Sequence, residues 1–107
     1  MKSVGIDIIE INRMKLKPEF IKRYLSQTEW EKFQSLNTEF SKKQFLASKW
    51  ALKEALYKAL PNEHLVFEEI NITENEFGQP AVKIKNYQIS LSLSHNQSNI
   101  VAIAICW

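Results

Sequence analysis

The sequence predicts an α+β fold, and three observations carry the prediction. A strand-like segment opens the chain, with Val4, Ile6 and Ile8 at period two. A long helical pattern then runs from about residue 40 to 60 and is stopped by Pro61. Beyond it the period changes to two, as in a group of antiparallel strands.

The elements follow in order. Residues 3–11 form a strand on which Asp7 points away from Val4, Ile6 and Ile8, toward the face it shares with Gly5 and Ile9. Pro18 suits the first turn of a short helix over 18–26, with Phe20, Tyr24 and Leu25 on one face. Thr28-x-x-Glu31 has the capping pattern, so a second helix is expected over 29–36, carrying Trp30 and Phe33 and broken by Asn37 and Thr38. After the long helix, residues 66–73, 81–85, 87–94 and 99–106 read as strands. Turn signals at Asn75–Pro80, Asn86 and His95–Ser98 separate them.

Composition narrows the class. A chain of 107 residues is expected to be one domain, 1–107, and 45% apolar with 24% charged residues is an ordinary globular balance. The longest apolar run, Ile100 to Trp107, is too short to span a bilayer, and no signal peptide is visible. Cys106, the single cysteine, fits a reducing cytoplasm and reads as a packing residue. The net charge of +2 and the absence of any nucleic-acid motif argue against nucleic acid as a partner. The charge is uneven, however. Arg13, Lys15, Lys17, Lys22 and Arg23 face only Glu19 in their segment, a cluster suited to solvent, phosphates or an acidic protein.

On a wheel, Phe45, Leu52, Leu56 and Ala59 lie opposite Glu54, and that side is expected to pack on the sheet. Ala47 and Ala51 lie near the line of Glu54, with Lys58 one turn beyond; Trp50, Tyr57 and Leu46 form a flank. Small residues beside a carboxylate leave room for something to approach. Two readings stay open: an i,i+4 Glu54–Lys58 pair, contributing a few tenths of a kcal/mol, or a site for metal and phosphate. In the second, Asp7 and Glu54 converge on Mg²⁺, which is usually held by one or two carboxylates plus phosphate oxygens. Lys58 then adds positive charge to those phosphates.

Three segments together resemble the holo-[acyl-carrier-protein] synthases, the small trimeric branch of the 4′-phosphopantetheinyl transferases. G-x-D-x-x-E-x-x-R appears as Gly5-Ile-Asp7-Ile-Ile-Glu10-Ile-Asn-Arg13. W/F-x-x-K-E-A-x-x-K-A appears as Trp50-Ala-Leu-Lys53-Glu54-Ala55-Leu-Tyr-Lys58-Ala59. S-x-S-H appears as Ser92-Leu-Ser94-His95, and the Gly78-x-Pro80 turn also has a counterpart. The resemblance implies that family's fold, an antiparallel sheet packed against a long central helix and shorter helices. It implies Asp7 and Glu54 as Mg²⁺ ligands, with Lys58 joining them as the catalytic set. It also implies coenzyme A contacts for Lys49, Lys53, Lys58 and His95, with His95 reaching across a subunit boundary of a homotrimer. Arg13, Lys22 and Arg23 would meet the acidic acyl carrier protein. The implied reaction moves the 4′-phosphopantetheine arm of coenzyme A to a carrier serine and releases adenosine 3′,5′-bisphosphate, in support of fatty acid biosynthesis.

The chain departs from that pattern in places. Where the family carries a glycine-rich G-T-G-I stretch, this sequence has Leu60-Pro61-Asn62-Glu63-His64-Leu65, and its only glycines are Gly5 and Gly78. Glu63 would be an unwelcome charge beside phosphates. Lys49 stands where arginine is frequent, and the segment between Arg13 and Phe20 is short. These departures motivate an alternative function, a non-catalytic module that binds carrier protein or coenzyme A. His64 is expected to be an exposed loop residue, Glu10 a structural group, Lys53 a surface or coenzyme-contacting cation, and Ser90, Ser92 and Ser94 an exposed or subunit-facing stripe.

Overall fold

A computed structural model describes residues 2–107. Strand β1 (Ser3–Glu10) is followed by the helices α1 (Pro18–Ile21), α2 (Gln27–Gln34) and α3 (Glu39–Ala59). Short strands β2 (Thr73–Glu74) and β3 (Pro80–Ala81) precede the longer β4 (Ile89–His95) and β5 (Asn99–Cys106). The main sheet is antiparallel in the order β1-β5-β4 and packs against α3; β2 and β3 form a separate two-strand ladder. The fold is α+β, as predicted.

Helix α3 begins at the Thr38 cap, where Ser41 N–H donates to Thr38 Oγ1 at 3.0 Å and Thr38 N–H donates back to Ser41 Oγ at 3.4 Å. It ends at Leu60, before the proline that cannot donate an N–H. Ala47, Ala51, Ala55 and Ala59 recur at i,i+4 and form a ridge buried in the core. This corrects the expectation that Ala47 and Ala51 leave open room beside Glu54. Small residues there let the packing close in. The approach is tightest at Gly5, where a Cβ atom would lie 1.9 Å from the Ala55 carbonyl oxygen and 2.8 Å from the Ala59 nitrogen.

On β1 the buried Gly5 and half-buried Asp7 and Ile9 share the helix side with Ile100, Ala102 and Ala104 of β5. Val4, Ile6 and Ile8 point the other way and are exposed, beside the half-buried Val101, Ile103 and Ile105 and the exposed Ser90, Ser92 and Ser94. Cys106 is buried, as expected of a packing residue.

Four boundaries differ from the sequence reading, and each has a physical reason. Helix α1 is only four residues long, because Ser26 is extended as the cap of the next helix. The cap of α2 is Ser26 with Glu29, not Thr28 with Glu31. Two overlapping S/T-x-x-E patterns compete there, and burial of Glu29 decides between them. Residues 66–73 are not a strand but a 3-10 turn, Phe67–Glu69, followed by extended chain into β2. The Phe67 and Ile70 carbonyls and the Ile72 N–H are bound by side chains instead of by a neighbouring strand. The strand expected over 81–85 stops at Ala81, before Lys85 turns left-handed at φ 48°.

Candidate active site between the first strand and the long helix

Asp7 and Glu54 line one cleft of ≈ 410 Å³, walled by Tyr24, Trp50 and Phe20 and bordered by Arg13 and Lys15. The strand–helix contact that Gly5 permits brings the two carboxylates to the same side of the structure. Burial pushes the Glu54 carboxyl above its ordinary range, and the neighbouring Asp7 charge raises it further, against the opposing influence of Lys58.

Lys58 does not form the i,i+4 pair with Glu54. Its ammonium donates to Asp7 Oδ1 at 3.2 Å and to the Ile6 carbonyl at 2.9 Å. The side chain is 51% exposed, so the pair is held loosely and the amine can turn to an incoming anion.

The donor set fits a hard divalent cation. Asp7 and Glu54 offer hard oxygen donors in a half-buried cleft, and a divalent cation would relieve the repulsion that raises the Glu54 carboxyl. Among the described residues there is no group of three or more His, Cys, Asp or Glu side chains that could hold a metal. Asp7 and Glu54 would thus leave most coordination positions to water and phosphate oxygens, which suits Mg²⁺ better than an all-protein cage.

The remaining predicted residues are placed unevenly. Arg13 borders the cleft, while Arg23 lies over the Phe20 ring at 5.6 Å and Lys22 over Trp30 at 4.8 Å. All three are exposed; Arg13 lines the cleft, Arg23 reaches its Phe20 wall, and Lys22 lies over Trp30, which is not a cleft residue. His95 is exposed at the end of β4, two strands from β1 through the Ile100–Ile9 pairing, and is not part of the cleft within one chain. Lys49 enters a different, smaller pocket with Asn71 and Glu74, its amine 4.9 Å from the Phe45 ring and its pKa lowered first by burial. The expectation for Lys53 is corrected. It is wholly buried, and its ammonium donates to the Glu29 carboxylate and to the carbonyls of Tyr24, Phe67 and Ile70, so it has no exposed charge to offer coenzyme A.

The glycine-free turn also has a local solution. Pro61–Glu63 forms a 3-10 turn and His64 takes the left-handed conformation at φ 50°, exposed as expected. The Glu63 carboxylate accepts from Lys85 and from the Tyr87 hydroxyl, whose hydrogen bonds hold its pKa below the usual range. Its charge is therefore compensated by the opposite segment. Sequence reasoning missed this cluster and the Glu29–Lys53 pair; for the latter, Ser26-x-x-Glu29 was the available signal.

Residues 3–106 match the 4′-phosphopantetheinyl transferase superfamily. The chain is 41% identical over 108 residues to a holo-[acyl-carrier-protein] synthase of Oceanobacillus iheyensis, covering 92% of this chain and 90% of that one. A crystal structure of a holo-(acyl-carrier-protein) synthase from Bacillus anthracis in complex with CoA (3′,5′-ADP) superimposes with a TM-score of 0.87 at 29% identity, covering 97% of this chain and 94% of that one. The Helicobacter pylori synthase in complex with coenzyme A gives a TM-score of 0.80 at 28% identity, covering 97% and 99%. The chain belongs to the 4′-phosphopantetheinyl transferase superfamily, in its branch of holo-[acyl-carrier-protein] synthase enzymes.

Proposed function

We propose that residues 1–107 act as one Mg²⁺-dependent transferase domain. It moves the 4′-phosphopantetheine arm of coenzyme A to a serine of apo acyl carrier protein, releases adenosine 3′,5′-bisphosphate, and serves fatty acid biosynthesis in the cytoplasm. The observation that carries this reading is the pairing of Asp7 with Glu54 in a cleft bordered by Arg13 and Lys15. The coenzyme A complexes of the relatives support it.

Asp7 and Glu54 would hold the metal, which when bound neutralises charge on the pyrophosphate. Lys58, one turn from Glu54, exchanges its loose contact with Asp7 for a phosphate oxygen. Tyr24 and Trp50 restrict water on one side of the cleft. The serine proton needs an acceptor as its oxygen attacks in line, and either Glu54 or a water held on the metal would take it. Arg13, Lys22 and Arg23 orient an acidic carrier at the cleft's border.

Active sites shared between subunits of a homotrimer belong to the same reading. Support comes from the outer face of the sheet, where Val4, Ile6 and Ile8 are 60%, 58% and 65% exposed as a contiguous apolar patch with β5. His95, outside the cleft within one chain, would then meet coenzyme A bound to a neighbouring subunit.

The testing experiment incubates the protein with coenzyme A, apo carrier protein and Mg²⁺, then measures the carrier's mass. A gain of one phosphopantetheine that disappears on chelation is expected. Binding of the carrier with no gain across several carriers would instead support the non-catalytic module.

A further inference from the structure

We infer that Glu29 and Lys53 are positioning residues for the carboxylate cleft, their buried network holding its aromatic wall in place beside Glu54. The inference rests on the reading of that cleft as a metal and phosphate site.

A lysine ammonium has three N–H donors, and here four oxygens surround it: Glu29 Oε1 at 2.6 Å and the carbonyls of Tyr24, Ile70 and Phe67 at 2.7, 2.7 and 2.9 Å. Glu29 is equally occupied, accepting from Ser26 N–H at 2.9 Å and from Ile72 N–H at 2.7 Å. Ser26 Oγ accepts from Glu29 N–H at 3.2 Å and donates to Asn71 Oδ1 at 2.7 Å. The network thereby ties the 24–29 and 67–72 segments to one turn of α3.

Two placements connect it to the cleft. Lys53 directly precedes Glu54 and projects about 100° from it around the helix, so anchoring one fixes the rotation of the turn that presents the other. Trp50, beside Glu54 in the cleft, is packed edge-on by Tyr24 at 5.1 Å and by Phe67 at 5.6 Å. Those two residues supply two of the three carbonyls that Lys53 holds, the third being that of Ile70. The same amine therefore holds the backbone of both ring neighbours of Trp50 and the turn that bears Glu54.

The test is the affinity of the intact protein for Mn²⁺, which takes the same oxygen ligands as Mg²⁺, measured by titration calorimetry with coenzyme A present. Thermal unfolding is followed in parallel. The double variant Glu29→Gln/Lys53→Met removes both buried charges at nearly constant volume, and we expect Mn²⁺ affinity to fall about tenfold, as when groups supporting metal ligands are lost. Glu29→Gln alone, which removes the charge facing the Lys53 ammonium while keeping an acceptor for the Ser26 and Ile72 N–H groups, is expected to lower it about tenfold as well. A lowered Tm with unchanged Mn²⁺ affinity would overturn the inference and leave the pair a stability device. Should the double variant not fold, Glu29→Gln carries the same measurement, and unchanged affinity there overturns it equally. Wild-type protein that binds no Mn²⁺ removes the metal reading of the cleft, and this inference with it.

Discussion

Glu54 is held half-buried beside a like charge, and this has a measurable consequence before any substrate arrives. Its carboxyl is raised in the folded state, so the folded protein is favoured while Glu54 is protonated. That advantage is lost as pH climbs from the ordinary carboxylate range through the raised pKa. Glu54→Gln should therefore raise the Tm of the metal-free protein at neutral pH while eliminating turnover and the Tm increase on adding Mg²⁺ with coenzyme A. A fall in Tm without metal would show that Glu54 is stabilised by contacts and not strained by Asp7. Protons and cation compete for the same oxygens, so the Mg²⁺ needed for half-maximal turnover should rise as pH falls through that range. That Asp7, Glu54 and Lys58 lie near one another was legible only through the resemblance of their two motifs; strand and helix patterning placed each residue but could not bring strand and helix together. The burial of Lys53 was not legible, since on a wheel its position resembles a surface flank; only the arrival of the 67–72 segment over it reveals a buried ammonium.

Elements are where pattern and outcome diverge most instructively. Helix α3 was readable because cap, apolar stripe and terminating proline all agree. Residues 66–73 misled because their apolar alternation is real while their backbone partners are the Lys53 and Glu29 side chains, which no local pattern announces. The contact between β1 and α3 depends on Gly5. Adding one methyl group there would collide with the helix backbone, not with a side chain that could turn aside. Gly5→Ala should cost about 3 kcal/mol or more of stability, since the helix must shift to admit it. Denaturant unfolding measures this, and a loss under about 1 kcal/mol would mean that strand and helix sit farther apart. The shift should also separate Asp7 from Glu54 and weaken turnover in the folded fraction.

At the scale of the whole molecule, Arg13 lines the cleft and Arg23 covers its Phe20 wall, while an apolar sheet face lies on the opposite side of β1. The two arginines should govern carrier recognition. Arg13→Glu with Arg23→Glu should raise the KM for carrier protein at least about tenfold with little change in that for coenzyme A, and the effect should shrink as salt increases. An unchanged KM for carrier would remove these residues from the docking surface. The apolar face should govern assembly: light scattering is expected to give three times the 12.5 kDa chain mass, and Ile6→Lys to give monomers of low activity. A fully active monomer would contradict shared active sites. The α+β class was legible from the change of apolar period; the outward direction of Val4, Ile6 and Ile8 was not, because period two does not say which face is covered. Whether Asp7 and Glu54 together form the Mg²⁺ site of phosphopantetheine transfer is tested most directly by an Mg²⁺ titration of carrier modification. Saturable turnover by the wild type, with none at any Mg²⁺ concentration from folded Asp7→Ala and Glu54→Ala, is the predicted result; near-normal turnover by either variant at limiting Mg²⁺ would contradict that assignment.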